Sequence, residues 1–106
     1  MKGKTMTIQI GSYAFEGPLR DSALLGALSG VYVVLGVNPG DASWRVLDVG
    51  ESVNVRDRIS NHDRNPCWAI QGKREIAYAA HYANEASRMQ IERELRAGFN
   101  PPCGER

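Results

Sequence analysis

Two runs rich in β-branched residues, residues 30–37 and 43–49, constrain the fold of this chain more than any other feature. Val and Ile favour extended backbone, and the runs are separated by Asn-Pro-Gly-Asp at positions 38–41, a combination typical of tight turns. Two such runs joined by a short turn predict an antiparallel β-hairpin. We therefore expect the middle of the chain to be the centre of a small sheet.

The rest of the chain contains patterns for shorter elements around this hairpin. The predicted segments are a short hairpin over residues 5–15, a helix over 18–28 capped by Asp21 or Ser22, a helix over 52–62 capped by Ser52, a loop over 63–72 broken by Asn65-Pro66, a strand over 75–83, and a helix over 84–97. In the last helix Ile91 and Leu95 form an apolar stripe, and Gly98 stands in a C-cap position. The order of elements predicts an α+β domain, a small antiparallel sheet flanked by helices.

The bulk properties of the chain limit its class. It has 106 residues, of which 42% are hydrophobic and 24% charged, so one globular domain over residues 1–106 is expected. The formal net charge of +1 is too balanced for a strong general attraction to a polyphosphate, so any contact with nucleic acid must be local. The longest uncharged run, residues 22–37, is shorter than the roughly 20 apolar residues of a membrane-spanning helix, which predicts no membrane contact.

The two cysteines, Cys67 and Cys103, are too few for a disulfide framework. They are expected to be small buried hydrophobic residues, and a cytoplasmic, reducing location is the corresponding prediction. An alternative is that His62, Cys67, His81 and Cys103 gather around Zn²⁺, although their spacing contains no compact ligand pair.

Several polar motifs lie at the ends of the predicted strands and on the two later helices. Gly30-Val31-Tyr32 opens the first strand of the hairpin, and Asp48-Val49-Gly50 closes the second. Arg58 and His62 lie four residues apart on the next helix, and Glu92 lies in the last one, followed by Leu95 and Pro101. In this order the motifs resemble the GIY-YIG nuclease domain over residues 29–104, with residues 1–28 as an N-terminal extension.

The resemblance implies a GIY-YIG endonuclease-like fold, a DNA partner and hydrolysis of phosphodiester bonds with Mg²⁺ or Mn²⁺. It implies that Arg58 is the catalytic arginine, that Glu92 binds the metal, and that His62 occupies a position filled by histidine or tyrosine. The sequence departs from the family pattern at Asp48, where the second motif has tyrosine, and at Gly104, where asparagine is usual.

Each matched residue has a chemical role to offer. Glu92 provides a hard oxygen ligand for Mg²⁺, and the guanidinium of Arg58 matches the oxygens of a phosphate. His62 follows Arg58 by one helical turn, so it is placed to transfer a proton or bind phosphate. The phenol of Tyr32, with an ordinary pKa of about 10, needs positive charge nearby to act as a base. We predict that Tyr32, Asp48, Arg58, His62 and Glu92 line one shared concave surface.

Structural explanations of the same residues remain open. Asp48 is either a base or second metal ligand, or a residue that caps the turn before Glu51 and Ser52. Tyr32 is also consistent with a half-buried strand aromatic. Arg58 and His62 are also consistent with a solvated helix face. Glu92 has Arg88 and Arg96 four residues away on either side, which suits an ordinary surface ion pair.

Three functions follow from these alternatives, and whether the domain is an enzyme stays open at this stage. The first is a divalent-metal-dependent endonuclease acting on DNA. The second is a catalytically inactive domain of the same fold that binds nucleic acid or a protein. The third is a zinc-stabilised interaction module. Because the net charge is near zero, a nuclease of this size is expected to need a protein partner or an oligomer for targeting.

Overall fold

The computed structural model describes residues 6–37, 43–62, 64–72 and 75–104. In chain order the elements are β1 (Thr7–Ile10), β2 (Tyr13–Leu19), a short 3₁₀ helix (Ser22–Leu24), β3 (Gly30–Val37), β4 (Trp44–Ser52), α1 (Val55–Ser60), α2 (Asn65–Gly72), β5 (Ile76–Tyr82) and α3 (Glu85–Phe99). The predicted fold class is confirmed, because the strands form one antiparallel sheet with helices packed on it.

The five described strands pair in the order β1-β2-β5-β3-β4, so β4 lies at one edge of the sheet. Strand β3 pairs with β5 on one side and β4 on the other, and Tyr32 stands opposite Gly50 and Ala80. The β3–β4 register shifts by a bulge between Val34 and Leu35. Because β3 has a neighbour on both sides, its Val-rich sequence is buried almost throughout.

The sheet is covered on both faces, which explains why alternate residues of β3 belong to different cores. Val31 and Val33 pack with Ile91 and Leu95 of α3, together with the β1–β2 hairpin. On the opposite face the second core contains residues from β3, β4, α1, α2 and the C-terminal part of the chain: Tyr32, Val34, Leu47, Val55, Ile59, Trp68 and Cys103.

Most of the predicted strands and the last helix are confirmed, with shifted ends. The second hairpin strand continues to Ser52, because its last residues pair with the start of β3. Helix α1 is capped by Asn54 rather than Ser52, and it ends at Ser60. Helix α3 passes through Gly98 to Phe99 and ends at Asn100, whose φ of 51° is left-handed. The predicted turn at residues 38–41 lies outside the described residues.

Two predicted segments are wrong. Residues 18–28 do not form a helix, because β2 continues through Pro18 to Leu19 and only the 3₁₀ turn follows. Leu24 and Leu28, part of the expected apolar face, are 64% and 55% exposed. The expected loop at 63–72 contains helix α2 instead, because Pro66 is well suited to a first helical turn and Trp68 is buried against the sheet.

The expectation for the cysteines is also wrong. Cys67 and Cys103 form a disulfide between α2 and the segment after α3, joining positions 36 residues apart in the sequence. Their sulfur atoms are bonded to each other, so they do not act as separate buried thiols, and the proposed zinc set of His62, Cys67, His81 and Cys103 is not formed.

No helix in the described part of the chain is long and apolar enough to cross a membrane.

Candidate functional site

Strands β3 and β4 bring Tyr32 and Asp48 together on the face of the sheet covered by α1 and α2. Tyr32 is paired with Gly50, and Asp48 with Val34. The Tyr32 ring extends across Gly50, because a Cβ at that glycine would overlap Cζ and Oη of the phenol. Gly50 therefore provides the space for the ring.

The Tyr32 hydroxyl is hydrogen-bonded to His62, in the loop between α1 and α2. The distance from His62 Nε2 to Tyr32 Oη is 2.6 Å. The other ring nitrogen, Nδ1, accepts a hydrogen bond of 3.0 Å from the backbone N–H of Arg64. A nitrogen that accepts carries no proton, so His62 is neutral with its proton on Nε2, and it donates to Tyr32.

Arg58 is the second donor to Tyr32. Its side chain hydrogen-bonds the phenol and, with Arg64, lowers the pKa of Tyr32. Burial of the ring and then the charge of Asp48 act in the opposite direction and prevail, raising the pKa of Tyr32 to about 12. Tyr32 is therefore protonated at neutral pH. A hydroxyl that accepts from two donors directs its own proton elsewhere, so the protonated phenol can donate a hydrogen bond and does not act as a base.

Asp48 is fully buried and both its oxygens are used. Oδ1 accepts from the backbone N–H of Val49 at 2.8 Å and from Arg96. Oδ2 accepts from Arg64 Nε and from the indole N–H of Trp68, both at 2.8 Å. Asp48 therefore neither caps a turn nor offers a lone pair to water or metal. We call Asp48, Arg64, Trp68 and Arg96 the Asp48 cluster.

Arg96 connects the Asp48 cluster to Glu92 and to the C-terminal segment, residues 101–104. Its Nε donates to Glu92 Oε2 at 3.2 Å, and its Nη1 donates to the carbonyls of Cys103 and Gly104. The Arg96 side chain is only 7% exposed. It is held by four acceptors, on Asp48, Glu92, Cys103 and Gly104, instead of by water. The predicted Glu92–Arg96 ion pair is thus present, but it belongs to a larger buried arrangement.

Gly104 allows the two cluster arginines to approach the C-terminal segment. It has a φ of 73°, and a Cβ there would lie 2.6 Å from Arg64 Nε and would also overlap Arg96. Asparagine is usual at this position in the GIY-YIG domains that the sequence resembles. Here the two guanidinium groups fill the space that a side chain at position 104 would need.

The five residues predicted for the site are linked by this geometry, but they do not line an open groove. Tyr32, Asp48 and His62 are 1%, 0% and 4% exposed. Arg58 is exposed, and the Glu92 side chain is 19% exposed. The contacts run from Arg58 through Tyr32 to His62, and from Asp48 through Arg96 to Glu92. The inner residues are covered. Arg58 and Arg64 are accessible beside α1 and α2, whereas Glu92 belongs to α3, which packs on the opposite face of the sheet.

A concave surface of about 390 Å³ in the described part of the chain lies beside this arrangement. It is lined by Arg93, Arg96, Ala97 and Asn100, and so by none of the five predicted residues. Arg96, one of its lining residues, also pairs with Asp48.

The residues fit an anion better than Mg²⁺. Within the described residues no group of three or more His, Cys, Asp or Glu side chains is arranged to hold a metal. Glu92 has one oxygen bonded to Arg96, and a guanidinium beside a carboxylate opposes the binding of a second cation. In the same described ranges its other oxygen makes no hydrogen bond, which leaves a single ligand atom for a hydrated Mg²⁺.

Three contributors to the site, Arg64, Trp68 and Arg96, were not predicted from the sequence as functional residues. The one signal for them is Asp48 itself, since an acidic residue inside the apolar run Val46-Leu47-Asp48-Val49 must find donors if it is buried. The spacing along the chain does not identify which residues those donors are.

No family model, no curated protein and no solved structure matches this chain.

Proposed function

We propose that this domain binds the phosphodiester backbone of DNA at the rim formed by Arg58 and Arg64, with Tyr32 as the inner hydrogen-bond donor. The observation that carries the proposal is the hydrogen bonding of Tyr32: it accepts from neutral His62 and from Arg58, so its proton is available to an anion. Guanidinium and phenol donors side by side match the oxygens of a phosphate.

The charge distribution supports contact with one or two phosphates rather than with a long stretch of backbone. Among the described side chains of the site, Arg64 and Arg96 pair with Asp48 and Glu92, and Arg58 beside Tyr32 adds a third positive charge against these two negative ones. Arg58 and the 32% exposed Arg64 side chain are the cations within reach of a ligand. Because Tyr32 is covered, a phosphate meets Arg58 first.

The test is binding of a fluorescein-labelled DNA duplex, measured by anisotropy between about 50 and 200 mM salt. Each phosphate contact contributes about 0.9 to the slope of log affinity against log salt concentration. We expect Arg58→Ala to weaken binding and reduce this slope by about 0.9. The matched control is Arg56→Ala, the same charge change on the same helix but on a different side, since residues two apart do not share a face. An Arg58→Ala protein with the parent slope would refute the proposal.

Metal-dependent DNA hydrolysis, the endonuclease function implied by the resemblance, is the second candidate. The observation in its favour is the second Glu92 oxygen, which is partly exposed and makes no hydrogen bond within the described ranges. Mg²⁺ or Mn²⁺ held there would supply a Lewis acid to a phosphate oxygen.

Supercoiled plasmid incubated with Mg²⁺ or Mn²⁺ distinguishes the two candidates. Nicking by the parent protein that is lost in Glu92→Ala but kept in Glu94→Ala would establish the endonuclease. Glu94 is a suitable control because it lies two residues away on α3 and bonds Tyr13 instead of Arg96. Binding without nicking under every condition is the outcome expected for a phosphodiester-binding domain.

A further inference from the structure

The disulfide lies directly behind the Asp48 cluster. Cys67 precedes Trp68 on α2, and the Trp68 indole donates to Asp48. Cys103 belongs to the C-terminal segment, whose carbonyls at Cys103 and Gly104 accept from Arg96. The S–S bond therefore joins the element that holds one side of Asp48 to the segment that orients the arginine on the other side.

Few other contacts hold the C-terminal segment in place. In the described part of the chain its backbone bond is Cys103 N–H to the Leu47 carbonyl, at 2.9 Å, on the outer edge of β4. Its other contacts in the described residues are the packing of Cys103 in the second core, the bonds from Arg96 and the close approach of Gly104 to Arg64. The disulfide is the covalent part of this attachment.

From this placement we infer that Cys67–Cys103 is a thiol–disulfide switch that controls the order of the Asp48 cluster and, through it, the affinity of the site for phosphodiesters. The second part of this inference, control of the affinity for phosphodiesters, rests on the proposed function. The reductant is a dithiol. One thiolate attacks Sγ of half-buried Cys67, the S–S bond breaks, and Cys103 leaves as a thiolate that takes up a proton. The second thiol of the reductant displaces Cys67 as a thiol, and the reductant becomes a disulfide.

Cys67 is the sulfur that a reductant reaches, because Cys103 is only 1% exposed. Once the bond is open, residues 101–104 are attached by the Leu47 hydrogen bond, the Arg96 contacts and the packing of Cys103 in the second core. The Cys103 and Gly104 carbonyls, two of the four acceptors of Arg96, are then no longer held by a covalent bond to α2, and the neighbouring Arg64 side chain must be ordered again when a phosphate binds. Ordering one long side chain corresponds to about a two- to twelvefold loss of affinity.

The structural half of the switch is tested without DNA. Trp44→Phe leaves Trp68 as the single indole of the chain, and its N–H resonance reports the bond to Asp48 Oδ2. In ¹⁵N-labelled Trp44→Phe protein we expect a dithiol such as dithiothreitol to shift or broaden this resonance, and re-oxidation to restore it. An unchanged resonance in protein whose two thiols are shown to be free by titration would overturn the switch.

The functional half compares the DNA affinity of oxidised and reduced wild-type protein in the anisotropy assay. We expect binding about two- to twelvefold weaker after reduction, and no response to dithiothreitol in a Cys67→Ser/Cys103→Ser control. Equal affinities of the two forms, with a shifted Trp68 resonance, would overturn control of the site by the disulfide. An oxidised protein that binds no DNA would instead overturn the proposed function, while the Trp68 resonance would still decide the structural switch.

Discussion

Asp48 accepts hydrogen bonds from four donors and is screened completely from water. Buried charges of this kind are costly to desolvate, and they persist because each removed partner would leave another charge unpaired. The residue that departs most from the resembling family therefore acts here as the anion that holds two arginines and a tryptophan around the candidate site.

Asp48→Asn should destabilise the protein by about 3–5 kcal/mol, the cost typical of breaking a buried ion pair from one side. The amide nitrogen would face a donor where an oxygen now accepts, so the geometry cannot be kept. Urea unfolding of parent and variant measures the effect. Asp57→Asn, an exposed site in the first turn of α1, is the control and should change stability by less than about 0.5 kcal/mol. Equal stability of Asp48→Asn and parent would contradict the role of Asp48.

Tyr32 makes stability depend on pH in the alkaline range. Its pKa is about 12 in the folded protein because of burial and the charge of Asp48, whereas about 10 is expected in the unfolded chain. Below pH 10 both states are protonated, and the contribution of Tyr32 to stability is fully present. Between pH 10 and 12 the unfolded state loses its proton first, so the free energy of unfolding falls.

The measurement is urea unfolding at pH 9 to 12, with phenolate absorbance followed in parallel. Tyr32→Phe should show a shallower fall of stability with pH. Tyr82→Phe is an informative comparison, because the pKa of Tyr82 is also raised to about 12, through burial and its bond to Glu16. A phenolate titration of the folded protein with every tyrosine near 10 would show that Tyr32 is not held in this environment.

At the scale of elements, the distance between β3 and β4 determines the room for the Tyr32 ring. The ring extends from β3 over the neighbouring strand β4. The crossing occurs at Gly50, where a side chain would occupy the position of the phenol. The distance between paired strands is fixed by their hydrogen bonds, so neither strand can move away to make room.

Gly50→Ala should therefore lower the free energy of unfolding by about 1–3 kcal/mol, as overpacking of a core usually does. It should also displace the Tyr32 ring and weaken DNA binding. Gly98→Ala is the matched control, because a Cβ there meets nothing within 4 Å and Gly98 lies inside α3. That substitution should stabilise by about 0.5–1 kcal/mol. Denaturation curves of the two variants should move in opposite directions, and a stabilised Gly50→Ala would exclude the steric explanation.

The elements that the sequence predicts well are those with strong local patterns: the central hairpin strands, β5 and α3. Local pattern fails where tertiary contacts decide. Asn65-Pro66 resembles a loop break, yet burial of Trp68 holds the following residues in a helix. Leu24 and Leu28 have helical spacing, but neither has a surface to pack against, and β2 occupies part of that segment.

The same distinction applies to the site. The order of the motifs identifies five candidate residues: Tyr32, Asp48, Arg58, His62 and Glu92. Their contacts form one chain, because Arg64 bonds both His62 and Asp48. The role of each depends on atoms that no linear pattern specifies. That His62 is a donor follows from the Arg64 backbone, and that Asp48 is saturated follows from Trp68 and Arg96, which come from two different helices. Hydrolysis, DNA binding and a cytoplasmic location stay predictions.

At the scale of the whole molecule, the disulfide closes a loop that contains α2, β5 and α3. Closing 36 residues removes conformational freedom from the unfolded chain, and a chain-entropy model of such a loop gives about 4 kcal/mol. Reduction should lower the urea midpoint accordingly, with the reduced and oxidised proteins measured side by side. Identical midpoints, with free thiols confirmed, would show that the bond does not constrain the unfolded chain in the expected way.

The Asp48 cluster also restricts which substitutions natural selection can accept. A tyrosine introduced alone at position 48 would remove the shared acceptor of Arg64, Trp68 and Arg96, and its ring would compete with them for the same buried volume. An asparagine introduced alone at position 104 would overlap the two arginines. A chain carrying both tyrosine at position 48 and asparagine at position 104 would therefore be separated from this one by several changes, each harmful without the others. Among relatives, positions 48, 64, 96 and 104 are expected to change together or not at all.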